Sequence, residues 1–269
     1  MKDVFFDLSD KKLDELEIVL FYDLHIGSKK CDHQGIANRI KYVMDNPNVY
    51  AILGGDLINN STKDSVGDCF QEPLSPMEQC QAVVELFTPI KDKIIAMTSG
   101  NHERRSYKKE GVDLSLFIAA QLGITDRYDY TACLAFVKFG KWTQRNPGTK
   151  ENTAPDCRPV QYSIYFTHGD GNGGRTIGGK ANGLERRGDI VNADIVVAGH
   201  THTPFAMRRC MYNVNVNHHT HTLTEQLLVN AAATLEYESY AELFGLRPSS
   251  TTNPRIILNG HRKEAIALV

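Results

Sequence analysis

Five apolar runs, each closing on an acid, an amide or an imidazole, constrain this chain more than any other feature. They are "LEIVLFYD" (16–23), "VYAILGGD" (49–56), "KIIAMTSG" (93–100, followed by Asn101 and His102), "VQYSIYFTHG" (160–169) and "ADIVVAGH" (193–200). Short continuous apolar runs bounded by turn residues predict buried strands. The stretches between them carry helical spacing. "GIANRIKYVMDN" (35–46) has apolar residues at 36, 40, 43 and 44, and "DLSLFIAAQLG" (113–123) is a helix closed by glycine. Ser75-Pro76-Met77-Glu78 is a capping box with proline at the first helical position, ahead of the face Cys80, Val83, Val84 and Phe87. "KANGLERRGDIV" (180–191) is a weaker helix. Strands alternating with helices predict an α/β fold.

"ACLAFVKF" (132–139) is a further strand, and past residue 204 helices thin out. Alternating segments such as "AMRRCMYNVNV" and "EQLLVNAAA", then "RIILNG" and "EAIAL", predict antiparallel sheet completing the core. "NHHTHT" (217–222) lies between two of them and is expected at a hairpin turn or exposed edge rather than at a metal. With no repeat, low-complexity tract or linker, residues 1–269 are expected to form one domain.

Composition removes some function classes. The net charge of -2 gives no global basic field for nucleic acid or membrane. Six cysteines without a C-x-x-C pair fit reduced, buried thiols. The first residues lack a basic start with an apolar core, and no apolar run is long enough to span a membrane. A soluble, cytoplasmic protein without a membrane partner is expected.

The polar strand ends are Asp23 and His25, Asp56, Asn101 and His102, His168, and His200 and His202. Carboxyl ends of strands in open α/β sheets converge on one crevice, so these distant residues can meet. Residues i and i+2 of an extended segment point the same way, so Asp23 and His25 can grip one object, as can His200 and His202. Glycines before Asp56, Asn101 and His200 allow sharp turns and close approach. Two carboxylates, an amide oxygen and four imidazoles besides His102 are too many ligands for one tetrahedral zinc and suit two divalent ions sharing a bridge. Asp56, alone on its strand, has the two oxygens a bridge needs. Burying such groups unpaired would cost about 1–3 kcal/mol each.

The ordered set Asp23-Leu24-His25, Gly55-Asp56, Gly100-Asn101-His102-Glu103, His168 and Gly199-His200-Thr201-His202 resembles the calcineurin-like metallophosphoesterases, among them compact prokaryotic and phage-borne members. The resemblance implies two packed β-sheets flanked by helices. It implies that Asp23, His25 and His202 hold one metal, that Asn101, His168 and His200 hold a second, and that Asp56 bridges them. Manganese, iron or zinc would suit the mixed nitrogen and oxygen donors. His102 would be no ligand but the general acid, or a donor to the phosphoryl oxygen. A hydroxide held by both ions would attack phosphorus in line. Many relatives carry an acid three residues after the Asp56 position to orient the histidine; here Asn59 stands there.

Arg104 is a candidate phosphate contact. "GRTIGGKA" (174–181) fits a nucleotide-binding loop, but Ala181 replaces the hydroxyl that would hold magnesium. These glycines are instead expected to form a loop over the site, with Arg175 meeting the substrate. The expected activity is a dinuclear metal-dependent phosphoesterase leaning to phosphodiesters, with a nucleotide or nucleic acid as substrate and nucleases among its relatives. The alternatives are a phosphomonoesterase or protein phosphatase, and a non-catalytic scaffold.

Overall fold

The computed structural model describes residues 1–63, 65, 69, 72–143, 157–170, 174, 176–236, 248 and 250–269. The first half runs β1 (Lys2–Asp7), β2 (Glu15–Phe21), α1 (His33–Asp45), β3 (Val49–Leu53), α2 (Pro76–Phe87), β4 (Ile94–Thr98), α3 (Glu103–Glu110), α4 (Leu114–Leu122) and β5 (Tyr128–Asp129). The second half runs β6 (Ala132–Thr143), β7 (Cys157–Thr167), α5 (Ile177–Gly188), β8 (Ile195–Ala198), β9 (Phe205–Asn215), β10 (Thr220–Asn230), β11 (Arg255–Asn259) and β12 (Ala265–Leu268).

Two mixed six-stranded sheets result, ordered β1-β6-β7-β8-β10-β9 and β12-β11-β2-β3-β4-β5. Strands β2, β3, β4 and β5 pair in parallel, and β11 joins β2 antiparallel. In the other sheet β8 is parallel to both β7 and β10. The layers explain the unbroken apolar runs. In β2 and its exit, Leu16, Ile18, Leu20 and Tyr22 join the core between the sheets, with Phe139, Tyr162, Ile164 and Val197 in the same cluster. The alternate residues Val19 and Phe21 join Ile36, Ile40 and Val43 of α1 and Val83 and Phe87 of α2. On the outer face of the second sheet, Leu184 of α5 clusters with Tyr165, Val196 and Leu228. Each such buried side chain contributes about 1.5–3 kcal/mol. The order is helix, sheet, sheet, helix.

Local signals end the helices where the sequence indicates. The Ser75 hydroxyl accepts from Glu78 N at 3.4 Å and Ser75 N donates to the Glu78 carboxylate at 2.7 Å, so both halves of the capping box form. Asp113 caps α4 through Leu116 N at 2.9 Å, and Gly123 closes it at φ 71°. Thr176 caps α5, which starts three residues earlier than the periodicity suggests. The histidine-rich turn falls at the exposed tip of the β9–β10 hairpin. Strand β1 and helix α3 have no counterpart in the sequence reading. Among the described residues no helix is long and apolar enough to cross a membrane.

The layers matter for what they bring to one end. The loop after β2 is stitched to the loop after β3, with Asp23 N on Gly55 O at 3.1 Å and His25 N on Asp56 O at 3.0 Å. In the other sheet Gly199 N donates to His168 O at 2.8 Å. The exits of β2, β3, β4, β7 and β8 therefore face a common edge.

Candidate metal centre

The backbone at this edge is left-handed. Asp23, His25 and Asp56 sit at φ 50°, His200 at 66° and His202 at 54°. Such conformations cost about 1–3 kcal/mol each in residues with a Cβ and persist only where surrounding structure over-determines them. They also correct the extended-strand argument for His200 and His202, while Asp23 and His25 do fall in one ligand group. Strand β2 has already ended at Phe21 and β8 at Ala198, so successive ligands turn rather than alternate. As a result His200 and His202 part company.

Asp23, His25 and His202 offer ligand atoms within 4.8 Å of one another, and so do Asp56, His168 and His200. The third such group joins His25, Asp56 and His102. Nε2 of His168 marks the centre of the second cluster. It lies 2.9 Å from Asn101 Oδ1, 3.2 Å from His200 Nδ1 and 3.3 Å from Asp56 Oδ2. Asp23 Oδ1 is 3.9 Å away, and the same oxygen is 3.4 Å from His202 Nε2. Nδ1 of His168 donates to Gly54 O at 3.0 Å, because a carbonyl can only accept, and this leaves Nε2 as the nitrogen turned to the cluster.

These donors fit cations. Asp23 Oδ1 and both ring nitrogens of His25 are buried without a hydrogen-bond partner. Orphaned buried groups of this kind cost about 1–3 kcal/mol apiece unless something else coordinates them. Electrostatics agree. Burial, then the neighbouring His102, holds His25 well below the usual imidazole range, so it is a neutral donor. Burial, then His168, also lowers His200. Burial opposes ionisation of Asp23 and Asp56, but the surrounding histidines outweigh it and lower both carboxyls. His168, despite burial, is raised to about 9 by Asp56 and Asp23, so in the metal-free protein its Nε2 also keeps a proton, which a cation would displace.

His102 stands beside this cluster with its Nε2 3.7 Å from Asp56 Oδ2. Its main-chain N–H donates to Asp56 Oδ1 at 2.8 Å. Its Nδ1 donates to the main-chain carbonyl of Asn59 at 2.5 Å. The Asn59 side chain does not point at the histidine; Nδ2 donates to Glu72 at 2.6 Å and Ser61 at 3.2 Å. Position 59 thus backs His102 through its backbone rather than its side chain.

Arg104 is committed to main-chain carbonyls rather than to the ligand atoms. Its Nη2 donates to the carbonyls of Ser99 at 2.8 Å and Tyr130 at 2.6 Å. The next residue, Arg105, reaches the site instead, with Nη2 2.9 Å from His102 Nε2 and Nη1 on Asn59 O at 3.1 Å. On a helix, adjacent residues point about 100° apart, and the sequence alone could not tell which arginine faces inward. Arg175 lies outside the described residues. Lys180 of the glycine-rich segment donates to Thr201 O at 2.9 Å and to the Thr203 hydroxyl, so it braces the loop bearing His200 and His202.

Glu103 has a role the sequence did not reveal. Its buried carboxylate accepts four main-chain N–H groups: Leu57 at 2.6 Å, Gly100 at 2.9 Å, Asp56 at 3.0 Å and Ile58 at 3.2 Å. It ties the Asp56 loop to the Asn101 loop. The two chains run very close there. Gly55 is at φ 87°, and a Cβ on Gly100 would sit 2.1 Å from Asp56 Oδ1. The residue after the Asn-His pair was visible as part of the motif, but only the fold shows which donors it serves.

A sequence model described as calcineurin-like phosphoesterase matches residues 17–204. No protein of curated function matches the sequence significantly. Among solved structures, the chain resembles a predicted phosphoesterase from Streptococcus pneumoniae at 13% identity and TM-score 0.38, covering 95% of this chain and 90% of that one. Vacuolar protein sorting 29 from Cryptosporidium parvum aligns at 13% identity and TM-score 0.44, over 95% and 98% of the two chains. A metallophosphoesterase from Sphaerobacter thermophilus aligns at 12% identity and TM-score 0.39, over 93% and 88%. The family match spans every residue from Asp23 to His202 in the clusters described above, and the chain belongs to the calcineurin-like phosphoesterases.

Proposed function

We propose that the protein hydrolyses phosphoesters at a dinuclear metal centre, with phosphodiesters, as in a nucleotide or nucleic acid, favoured. The observation that carries this reading is the convergence of two ligand clusters around buried, unpartnered donor atoms. Asp23, His25 and His202 would hold one ion and Asn101, His168 and His200 the other, with Asp56 between them. Bound there, two divalent ions of manganese, iron or zinc supply Lewis acidity and a nucleophile at neutral pH. The whole chain, 1–269, is read as one such unit, since β1 pairs with β6 and β11 with β2 across the sequence.

The protein's own groups do the rest. With Nδ1 of His102 committed to Asn59 O, Nε2 is the nitrogen that faces the ester and exchanges a proton with the leaving oxygen. Arg105 binds a non-bridging phosphoryl oxygen, taking the role expected of Arg104; as it moves to that oxygen it frees Nε2. Positioned proton transfer of this kind contributes about 10²–10⁴ in rate. A carbonyl rather than a carboxylate backs His102, which sets the site apart from the acid-backed arrangement of many relatives and supports the diester preference.

The test is a panel of bis-p-nitrophenyl phosphate, p-nitrophenyl phosphate, and single- and double-stranded DNA and RNA, with manganese added or chelated. Chelator-sensitive diester hydrolysis, lost in His102→Ala while calorimetry still shows manganese binding, is expected. Hydrolysis of the monoester alone would overturn the diester reading. Absence of turnover throughout, with biological activity unchanged in Asp56→Asn, would favour a scaffold.

A further inference from the structure

We propose that Tyr107 and Tyr130 form a stacking subsite for a nucleobase at the rim of the metal centre. The inference rests on the phosphoesterase reading and deepens it by naming the group attached to phosphorus. The two rings lie 4.9 Å apart at an interplanar angle of 49°. Tyr107 is 47% exposed despite this contact, and the Arg104 guanidinium sits 4.9 Å from the Tyr130 ring.

Their place in the fold points to the substrate. Arg104 ties Tyr130 O to Ser99 O, two residues before Asn101. The Thr167 hydroxyl donates to Thr131 O at 3.0 Å, tying the residue after Tyr130 to the residue before His168. Tyr107 lies on α3, five positions beyond His102, about 7.5 Å of helical rise. Tyr130 therefore borders the loops of Asn101 and His168, and Tyr107, on the same face of α3 as Arg104, packs against it there. The same helix carries Arg104, Arg105, Lys108 and Lys109. Aromatic faces interleaved with cations are the means by which proteins hold single-stranded nucleic acid, bases on the rings and phosphates on the charges. Overall charge of -2 conceals this local bias.

The test measures binding apart from turnover. A fluorescein-labelled oligothymidylate and an abasic strand of equal length are titrated in EDTA, by anisotropy, against wild type, Tyr107→Ala, Tyr107→Phe and Tyr130→Phe. Tyr107→Ala is expected to weaken oligothymidylate binding about 5- to 140-fold while leaving the abasic strand unaffected, and both Phe variants to retain binding. With manganese, Tyr107→Ala should raise KM for a dinucleotide more than it lowers kcat. The proposal is overturned if wild type binds the two strands equally, or if Tyr107→Ala weakens both alike or neither. An equal KM rise for p-nitrophenyl phosphate also overturns it, by assigning the rings to an aryl leaving group. Base-dependent binding without hydrolysis of any ester would reject the hydrolase reading and leave the subsite standing.

Discussion

Glu103→Gln is the sharpest probe of how this centre is held. The change keeps shape and removes one oxygen. Each carboxylate oxygen serves two donors: Oε2 takes Asp56 N at 3.0 Å and Gly100 N at 2.9 Å, while Oε1 takes Leu57 N at 2.6 Å and Ile58 N at 3.2 Å. Whichever way the amide flips, its NH2 must face two buried N–H groups. Two orphaned donors at about 1–3 kcal/mol each give a loss of about 2–6 kcal/mol. At about 2–4 °C per kcal/mol for a chain near this size, Tm falls by roughly 4–24 °C. The second consequence is functional. Asp56 N and Gly100 N anchor the loops that carry Asp56 and Asn101, so their release should lower manganese affinity about 10–100-fold, the usual effect of losing a ligand's outer support. Urea denaturation of the metal-free protein reads the first effect, and calorimetric titration with manganese reads the second. A Gln variant as stable as wild type, with an unchanged titration, would refute the claim that Glu103 positions the site.

Gly100→Ala should disturb Asp56 directly, since the new Cβ would lie 2.1 Å from its Oδ1 and 2.2 Å from its N; calorimetry should show weakened manganese binding, with a stability loss of about 1–3 kcal/mol. Chelation should lower Tm, by about 5–11 °C for each site that had been held at 100 times its Kd, and manganese should restore it. Burial pushes the thiols of Cys31, Cys80 and Cys133 up to about 12, whereas Cys210 is exposed, so mass spectrometry after native alkylation at pH 8 should find Cys210 modified and those three protected. Because their folded pKa values exceed the ordinary value of 9.0, the unfolded chain loses these protons first and stability should fall as pH rises from about 9 toward 12.

The fold was legible where burial is two-sided. In β2, Ile18 to Phe21 are apolar without interruption because one face meets the second sheet and the other meets α1 and α2. Helix α3 was not legible, because "ERRSYKKE" has no apolar stripe; it is held by Glu103 at its start and by Asn60, whose Nδ2 donates to His102 O at 2.8 Å and Ser106 Oγ at 3.0 Å. Strand β1 escaped because only Val4 of its six residues is buried and its parallel partner β6 lies more than a hundred residues away. For the site, residue types at strand ends were enough to assemble the ligand candidates. Orientation was not, since it depends on φ signs and helix phase: this is why the paired-histidine argument failed and why Arg105 rather than Arg104 reaches His102.

The left-handed residues show what the fold must supply beyond a list of ligands. Eight residues with a Cβ have positive φ among the described residues, and five of them are Asp23, His25, Asp56, His200 and His202. At about 1–3 kcal/mol each, this strain is comparable with a whole domain's net stability of about 5–15 kcal/mol. It must be offset locally, and the ties are visible. His200 N donates to Asp23 Oδ2 at 2.9 Å and His102 N to Asp56 Oδ1 at 2.8 Å, so each carboxylate uses one oxygen to fix the neighbouring loop and keeps the other for the centre. Replacing either Asp would therefore remove a ligand and a brace at once. Loss of metal affinity in Asp23→Asn or Asp56→Asn therefore cannot be assigned to the missing charge alone, whereas Glu103→Gln leaves every proposed ligand atom in place and removes only the brace and the negative charge it carries near Asp56 and His168.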